Sequence, residues 1–262
     1  MLHEALGMSL HKSAVIAFVG GGGKTTAMFL LAHELKALGE KVLVTTTTNI
    51  GVPEPGQCDI AMLEGCTDLV ELATLPTGTI VCIGSGLLHG EICKVKSVEP
   101  AFIDELHASG WFDCILVEAD GAKRKPIKAP ADYEPVIPKS TTLVIGVVGL
   151  DSLGKNVSEE NIHRCELFCA CTGKKPGELI DRESIIKLIL SENGLFKSAP
   201  AASRKCVLLN KADTAELRLQ AEQIAQEIVR LAAPGHGCII AALLQGSVYM
   251  HSYKTGLKFV ST

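Results

Sequence analysis

The chain has 262 residues, of which 47% are hydrophobic, and it carries a formal net charge of −4 at pH 7. This much apolar sequence can fill a sizeable core, either in one large α/β domain or in two small ones. The acidic balance supplies no basic field for nucleic acid, so we expect no nucleic-acid partner. Ten cysteines without a signal-peptide pattern predict reduced thiols and a cytoplasmic protein, and no segment has the composition of a membrane span.

Strand-like and helix-like segments alternate along the chain. The first strand is predicted over Lys12 to Val19, and a helix over Thr25 to Leu38 follows it. Further strands are predicted at residues 41–46, 79–83, 112–118, 141–148, 205–210 and 237–243. A late helix with its apolar face between residues 217 and 231 is expected to stop at Pro234-Gly235. The alternation predicts a single α/β domain over residues 1–262, with three layers and a mainly parallel central sheet.

The segment after the first strand predicts a phosphate-binding loop. Its residues are Gly20, Gly21, Gly22, Gly23, Lys24, Thr25 and Thr26. Glycines let successive backbone N–H groups curl around a phosphate, and the helix that follows presents its unpaired amides to the anion. Lys24 would reach the β- and γ-phosphates, and the Thr25 hydroxyl would bind Mg²⁺.

The shortened pattern G-G-x-G-K-T-T resembles the loop of the SIMIBI class of NTPases, so a P-loop NTPase-like fold is expected. A plain glycine turn between strand and helix is the structural alternative. A dinucleotide-binding fingerprint fits less well, because its third glycine would fall on Thr25 and no acidic residue ends the next strand.

The strand before residue 119 supplies the second motif. Glu118, Asp120 and Gly121 fit the pattern [D/E]-x-x-G at the end of a buried strand. Glu118 would hold Mg²⁺, and Asp120 is the candidate to orient the attacking water or to support another side chain that does so. In SIMIBI GTPases, which this pattern resembles, the glycine N–H senses the γ-phosphate.

A basic run follows at once, within an irregular segment over residues 121–139 that contains four prolines. Lys123, Arg124, Lys125 and Lys128 could form an ordinary solvated face. Beside a phosphate site, Lys123 and Arg124 could instead bind the triphosphate or another anionic ligand.

The third motif ends the strand at residue 210. Asn210, Lys211 and Asp213 match the N-K-x-D guanine motif of GTPases. Asp213 would accept hydrogen bonds from guanine N1–H and the 2-amino group, and adenine would leave this carboxylate unpaired. GTP is therefore favoured over ATP.

Two further segments have both structural and functional interpretations. Thr45 to Thr48 end the second strand, where such folds place a switch loop, although threonine is also a good strand residue. Cys165, Cys169 and Cys171 lie near His163, but the spacing lacks the C-x-x-C of zinc sites. Buried thiols without a metal role are favoured there.

Together these motifs resemble the selenium-dependent molybdenum hydroxylase accessory proteins known as the YqeC family. The resemblance lies in the phosphate loop, in residues 44–50, in residues 117–130, in residues 134–138, in residues 148–155 and around His163. It implies a cytosolic accessory factor for the maturation of enzymes that carry a molybdenum cofactor and labile selenium. The client enzyme, or its cofactor, would be the partner.

The resulting hypothesis is a Mg²⁺-dependent NTPase in which Lys24, Glu118 and Asp120 act on GTP, or on ATP. A small-molecule kinase, with Asp120 activating a substrate hydroxyl, is one alternative. A nucleotide-gated binding module without hydrolysis is the other. A homodimer is one option for the assembly.

Overall fold

A nine-stranded sheet forms the centre of the molecule. The computed structural model describes residues 1–8, 13–64, 69–90, 93–232 and 236–251. The strands of the sheet are β1 (Ala14–Gly20), β2 (Val42–Thr46), β4 (Ile60–Met62), β5 (Ile80–Ile83), β8 (Cys114–Glu118), β10 (Leu143–Gly149), β12 (Arg204–Asn210), β13 (His236–Ala242) and β14 (Ser247–His251). Their spatial order is β14-β13-β12-β10-β1-β8-β2-β5-β4.

Every neighbouring pair in this sheet is parallel except β13 with β14. All residues of β2, β8 and β10 are buried, as expected for strands covered on both faces. The predicted mainly parallel sheet is confirmed.

Seven helices lie in the described ranges. They are α1 (Leu2–Ala5), α2 (Lys24–Ala37), α3 (Leu69–Thr74), α4 (Pro100–Ser109), α5 (Cys165–Thr172), α6 (Arg182–Leu190) and α7 (Ala215–Leu231). One face of the sheet packs against α1 and α2, while α5, α6 and α7 cover the other face around β10, β12 and β13. A third cluster joins α3 and α4 to β2, β5 and β8. This arrangement confirms the expected three layers.

Observed boundaries lie close to the predicted ones wherever periodicity supplied the signal. The helix predicted from Thr25 begins one residue earlier, at Lys24. The first strand begins at Ala14, and Lys12 lies outside the described residues. Helix α7 ends at Leu231, and the expected stop at Pro234-Gly235 also lies outside them.

Several short elements have no counterpart in the prediction. A three-stranded sheet contains β3 (Ile50–Gly51), β6 (Leu87–Leu88) and β7 (Lys94–Val95), and a two-stranded ladder joins β9 (Ile127–Lys128) to β11 (Ile162–His163). Strands of two residues lack a readable alternation, so only tertiary pairing defines them. No described helix has the length and hydropathy required to cross a bilayer.

The sheet order brings the predicted motifs to one edge. Strand β1, which ends at Gly20, lies between β8, which ends at Glu118, and β10, which ends at Gly149; β12, ending at Asn210, is the next strand. After β1 the chain first forms β2, β4, β5 and β8 on one side of β1, and then crosses to form β10, β12 and β13 on the other side. Such switch points open a crevice at the carboxyl ends of the strands, where ligands of α/β proteins bind.

Candidate functional site

The phosphate loop between β1 and α2 is anchored by its own amides. The N–H of Gly20 donates to Asp120 Oδ2 at 3.0 Å. The amides of Gly21 and Gly22 donate to main-chain carbonyls at 2.9 and 3.0 Å, one in β10 and one in residues 121–128, a segment we call the strap. The backbone amides of Gly20, Gly21 and Gly22 therefore already have acceptors, and the first loop amide available to an anion is that of Gly23.

Two glycines are required by close approach and by backbone conformation. Gly22 has φ +84°, and a Cβ there would lie 2.3 Å from the amide nitrogen of Gly149. Gly23 has φ +123°, and its Cβ would lie 2.5 Å from Asn210 Nδ2. Any side chain would push the loop away from its neighbouring strands.

Helix α2 begins with free amides. Its first intrahelical hydrogen bond runs from the N–H of Ala27 to the carbonyl of Gly23 at 3.0 Å, and no side chain caps its N-terminus. The amides of Lys24, Thr25 and Thr26 therefore have no acceptor within the helix. These amides and the helix dipole make the end of α2 suited to an anion.

Lys24 is buried at the centre of this site. Its Nζ donates to the carbonyl of Gly20 at 2.7 Å and lies 3.2 Å from Asp120 Oδ1 and 3.5 Å from Glu118 Oε1. Burial opposes the charged form, but the two carboxylates outweigh burial and raise the pKa of Lys24 above its ordinary value. The side chain is thus a permanent cation beside the helix N-terminus.

Thr25 and Glu118 supply adjacent oxygen atoms. The Thr25 hydroxyl donates to Glu118 Oε2 at 2.6 Å, so the hydroxyl and the carboxylate lie side by side at the end of β8. Oxygen ligands at about 2.1 Å from an octahedral Mg²⁺ are about 3 Å apart when adjacent. A hydroxyl and a carboxylate at this spacing fit the donor set of Mg²⁺.

Asp120 joins the phosphate loop to a buried chain of charges. Asp120 Oδ2 lies 3.1 Å from Nζ of Lys128, whose side chain is fully buried. Lys128 Nζ lies 2.5 Å from Glu134 Oε2, and Glu134 also pairs with Arg164. Burial raises the pKa of Glu134, but the bonds from Arg164 and Lys128 outweigh it and hold that pKa below its ordinary value.

The basic run is divided by the fold. Lys123 and Arg124 are exposed, with φ of 49° and 61°, whereas Lys128 is buried in the charge chain. Lys125 contacts Glu159, and its own carbonyl accepts the amide of Gly22. The basic run therefore does not form a single solvated face. One side of the strap holds the phosphate loop through Lys125, and Lys123 and Arg124 are exposed to solvent.

The N-K-x-D segment contacts the loop through Asn210 and the residues after β10 through Lys211. Asn210 Nδ2 donates to the carbonyl of Gly22 at 2.8 Å, and Lys211 Nζ lies 2.9 Å from Asp151 Oδ2. Asp213 is exposed. Residues at or just after the ends of β1, β10 and β12, which are far apart in the chain, are thus brought together at the carboxyl ends of the strands.

The threonine quartet is mostly occupied with main-chain bonds. The hydroxyls of Thr45, Thr46 and Thr47 donate to carbonyls at 2.9, 2.9 and 2.6 Å. The acceptor of Thr46 is the Glu118 carbonyl, and a Cβ built on Gly121 would lie 3.6 Å from Thr48 Oγ1, so both threonines lie beside the second motif.

The cysteines near His163 do not gather a metal site. No group of three or more His, Cys, Asp or Glu side chains with metal-binding geometry occurs within the described ranges. Burial and the neighbouring Cys169 raise the pKa of Cys165 to about 11, as expected of an inert thiol. None of the nine described cysteines forms a disulfide.

Sequence reasoning missed part of the site. Glu134, Asp151 and Arg164 are not among the predicted functional residues and lie in segments that the sequence marks only by family resemblance. Their partners are distant in the chain, so spacing carries no signal for them. An irregular, proline-rich segment directly after an acidic strand was the available pointer.

Two comparisons with known proteins identify relatives of the chain. A family model described as "YqeC protein" matches residues 16–166, which include the phosphate loop, β8, the strap and β11. A protein of Escherichia coli (strain K12), described as "Uncharacterized protein YqeC", is 35% identical over 219 residues. That alignment covers 83% of this chain and 83% of the relative.

The buried charge chain generates a stability prediction. Lys128→Met removes the ammonium between Asp120 and Glu134 and leaves a buried and a partly buried carboxylate short of a counter-ion. We expect the free energy of unfolding in urea to fall by about 3–5 kcal/mol. The matched control Lys123→Met, at an exposed position, should change it by about 0.5 kcal/mol or less. Equal stability of the two variants would contradict the role given to Lys128.

His163 generates a pH prediction. Burial, followed by the charges of Arg164, Lys128 and Lys123, lowers its pKa from 6.5 to about 4. The unfolded chain therefore takes up a proton near pH 6.5 that the folded protein refuses until about pH 4, so the free energy of unfolding decreases as pH falls through this window. Urea unfolding from pH 7 to pH 4 should show a shallower decrease for His163→Gln than for the wild type. Parallel curves would contradict the prediction.

Proposed function

The chain belongs to the YqeC family, and we propose that it binds a purine nucleoside triphosphate with Mg²⁺, GTP in preference to ATP, and hydrolyses it. One observation carries this proposal. Lys24, Thr25 and Glu118 meet at the free N-terminus of α2, with 2.6 Å between the Thr25 and Glu118 oxygens and 3.5 Å between Lys24 and Glu118. An ammonium, a hydroxyl and a carboxylate beside free helix amides form the donor set that a Mg²⁺-bound triphosphate needs.

The phosphates would be held by the amides from Gly23 to Thr26 and by Lys24. In the structure described here Lys24 is paired with Asp120 and Glu118, so its charge is already compensated. A triphosphate replaces those carboxylates as its partner and keeps the ammonium paired. During transfer Lys24 stabilises charge that develops on the phosphoryl oxygens.

Thr25 and Glu118 would hold the magnesium ion. Bound Mg²⁺ neutralises phosphate charge and orients the phosphoryl group. Thr25 would offer the ion a lone pair of its hydroxyl oxygen, and Glu118 would offer a carboxylate oxygen.

Asp120 is the proposed water-orienting group. Its Oδ2 accepts the N–H of Gly20, whereas Oδ1 contacts Lys24 only through charge, at 3.2 Å, and accepts no hydrogen bond within the described residues. When Lys24 turns to the phosphates, Oδ1 is free to accept a proton from water. The Gly121 N–H follows Asp120 in the chain and would contact the γ-phosphate.

Base recognition is assigned to the end of β12. Asn210 fixes this segment to the loop through its bond to Gly22. Asp213 is exposed and follows that anchor by three residues, so it can receive the guanine N1–H and 2-amino donors.

The cellular role comes from the family resemblance. We propose that nucleotide turnover in the cytoplasm drives the maturation of selenium-dependent molybdenum hydroxylases, with the client enzyme or its cofactor as partner. The hydrolysis chemistry stands independently of this role.

Lys24→Ala tests the phosphate site. Loss of the ammonium should weaken Mg²⁺-GTP binding by about 10- to 100-fold, because hydrogen bonds to charged groups contribute about 1.5–3 kcal/mol. Calorimetry measures the affinity, and Lys36→Ala, at the other end of α2, is the matched control. Phosphate release without a second substrate separates hydrolysis from kinase activity. Unchanged affinity in Lys24→Ala would remove the proposal.

Asp213→Ala tests the base. GTP affinity should fall toward that of ATP, since the variant no longer distinguishes guanine donors from adenine, while ATP affinity should change little. Competition between the two nucleotides for one fluorescent analogue measures the ratio. Equal GTP and ATP affinities in the wild type would eliminate the guanine preference.

A further inference from the structure

A short parallel ladder joins two basic segments beside the phosphate site. Strand β9, in the strap, pairs with β11 so that Ile127 lies opposite Ile162 and Lys128 lies opposite His163. Lys123 and Arg124 precede β9, and Arg164 follows β11. The ladder therefore places two basic segments that are distant in the chain next to each other.

These cations are in excess of the nearby carboxylates. Lys24, Lys128 and Arg164 are matched by Glu118, Asp120 and Glu134 in the buried chain of charges. Lys123 and Arg124 are exposed, and neither forms an ion pair within the described ranges. The excess is local, because the chain as a whole has a net charge of −4.

The charges that act on His163 include more cations than carboxylates. Burial lowers its pKa first, and Arg164, Lys128 and Lys123 lower it further; Glu134 acts in the opposite direction. Glu159 also interacts with His163. The imidazole thus stays neutral at pH 7, surrounded by cations that outweigh the carboxylates.

Backbone strain accompanies the cations. Lys123, Arg124 and Arg164 have φ of 49°, 61° and 65°. They account for three of the five non-glycine residues with positive φ in the described part of the chain. Side chains are rarely held in this conformation without a surrounding structure that demands it, and such positions cluster at ligand sites.

The nucleotide phosphates would not reach all of these groups. Between Lys24 and Arg164 lie Asp120, Lys128 and Glu134 in turn, and the Lys128 side chain has no exposure. Three ion-paired side chains therefore lie along the chain of contacts from Lys24 to Arg164. An anion bound at Arg164 would belong to a different molecule.

We propose that Lys123, His163 and Arg164 form a second anion subsite, which binds the phosphate group of a small molecule other than the nucleotide. Arg164 uses Nη1 for Glu134 and Nη2 for the Tyr133 hydroxyl, which leaves further N–H donors. The Lys123 ammonium adds three donors, and the His163 ring adds one. This combination suits a phosphate monoester or pyrophosphate group. The subsite extends the proposed function but does not depend on nucleotide binding.

The test uses His163 as a reporter. Its ring signals are followed by NMR over pH 3.5–8 in histidine-labelled protein, with and without millimolar inorganic phosphate or pyrophosphate, and His163→Gln assigns them. Two samples exclude the phosphate loop as the cause: wild type saturated with a GTP analogue that resists hydrolysis, and Lys24→Ala. An anion at the subsite lowers the positive potential, so the pKa of His163 should rise by about one unit or more in both samples.

Charge-matched variants locate the response. Lys123→Gln should clearly reduce the shift caused by pyrophosphate, because it removes one exposed cation of the subsite. Lys94→Gln removes the same charge from an exposed position elsewhere and should retain the full shift.

Three results would overturn the subsite. The first is an unchanged pKa of His163 with both phosphate and pyrophosphate, in a protein that does bind the nucleotide. In the second result, the pKa of His163 shifts in the nucleotide-free wild type, but neither in the wild type saturated with the GTP analogue nor in Lys24→Ala. His163 would then report an anion in the phosphate loop. The third is a response to poly-glutamate alone, which would identify an acidic protein surface as the ligand. A shift that persists in Lys24→Ala when the wild type binds no nucleotide would support the subsite and reject the proposed function.

Discussion

The site depends on compensation of buried charge around Lys24. An ammonium removed from water is strongly disfavoured unless carboxylates and hydrogen-bond acceptors replace the solvent. Here the Gly20 carbonyl, Glu118 and Asp120 replace it at 2.7, 3.5 and 3.2 Å. Asp120 in turn requires Lys128, and Glu134 joins Lys128 to Arg164. The buried charges of Lys24, Asp120 and Lys128 are thus each compensated by an opposite charge within this chain.

This chain of charges also fixes the shape of the phosphate loop. Asp120 accepts the amide of Gly20, and the strap that contains Lys128 accepts the amide of Gly22. Asn210 holds the same loop from the opposite side. The loop is thus preorganised by three elements before an anion arrives, which reduces the conformational entropy that binding must overcome.

The strap gives the site two sides. On one side it contacts the loop glycines, and on the other it exposes Lys123 and Arg124 to solvent, with Lys123 near enough to His163 to lower the pKa of that imidazole. The proposed nucleotide site and the proposed second anion subsite would therefore share one segment of backbone. A member of the YqeC family could in this way hold a nucleotide and a second anionic ligand close together.

The sequence by itself determined the parts of the protein that depend on neighbours in the chain. Continuous apolar runs identified the long strands, and the 3.6-residue period identified α2 and α7, because burial on a sheet or helix face repeats locally. The residues of the phosphate loop and Glu118 stood out because glycine, lysine and carboxylate chemistry is tied to fixed short spacings.

Tertiary structure alone decided the strand order, the two-residue ladders and the fate of the basic run. Lys123 and Lys128 have the same chemistry and lie five residues apart, yet one is exposed and the other is enclosed between Asp120 and Glu134. Packing of distant segments chooses between those outcomes, and no local pattern encodes it.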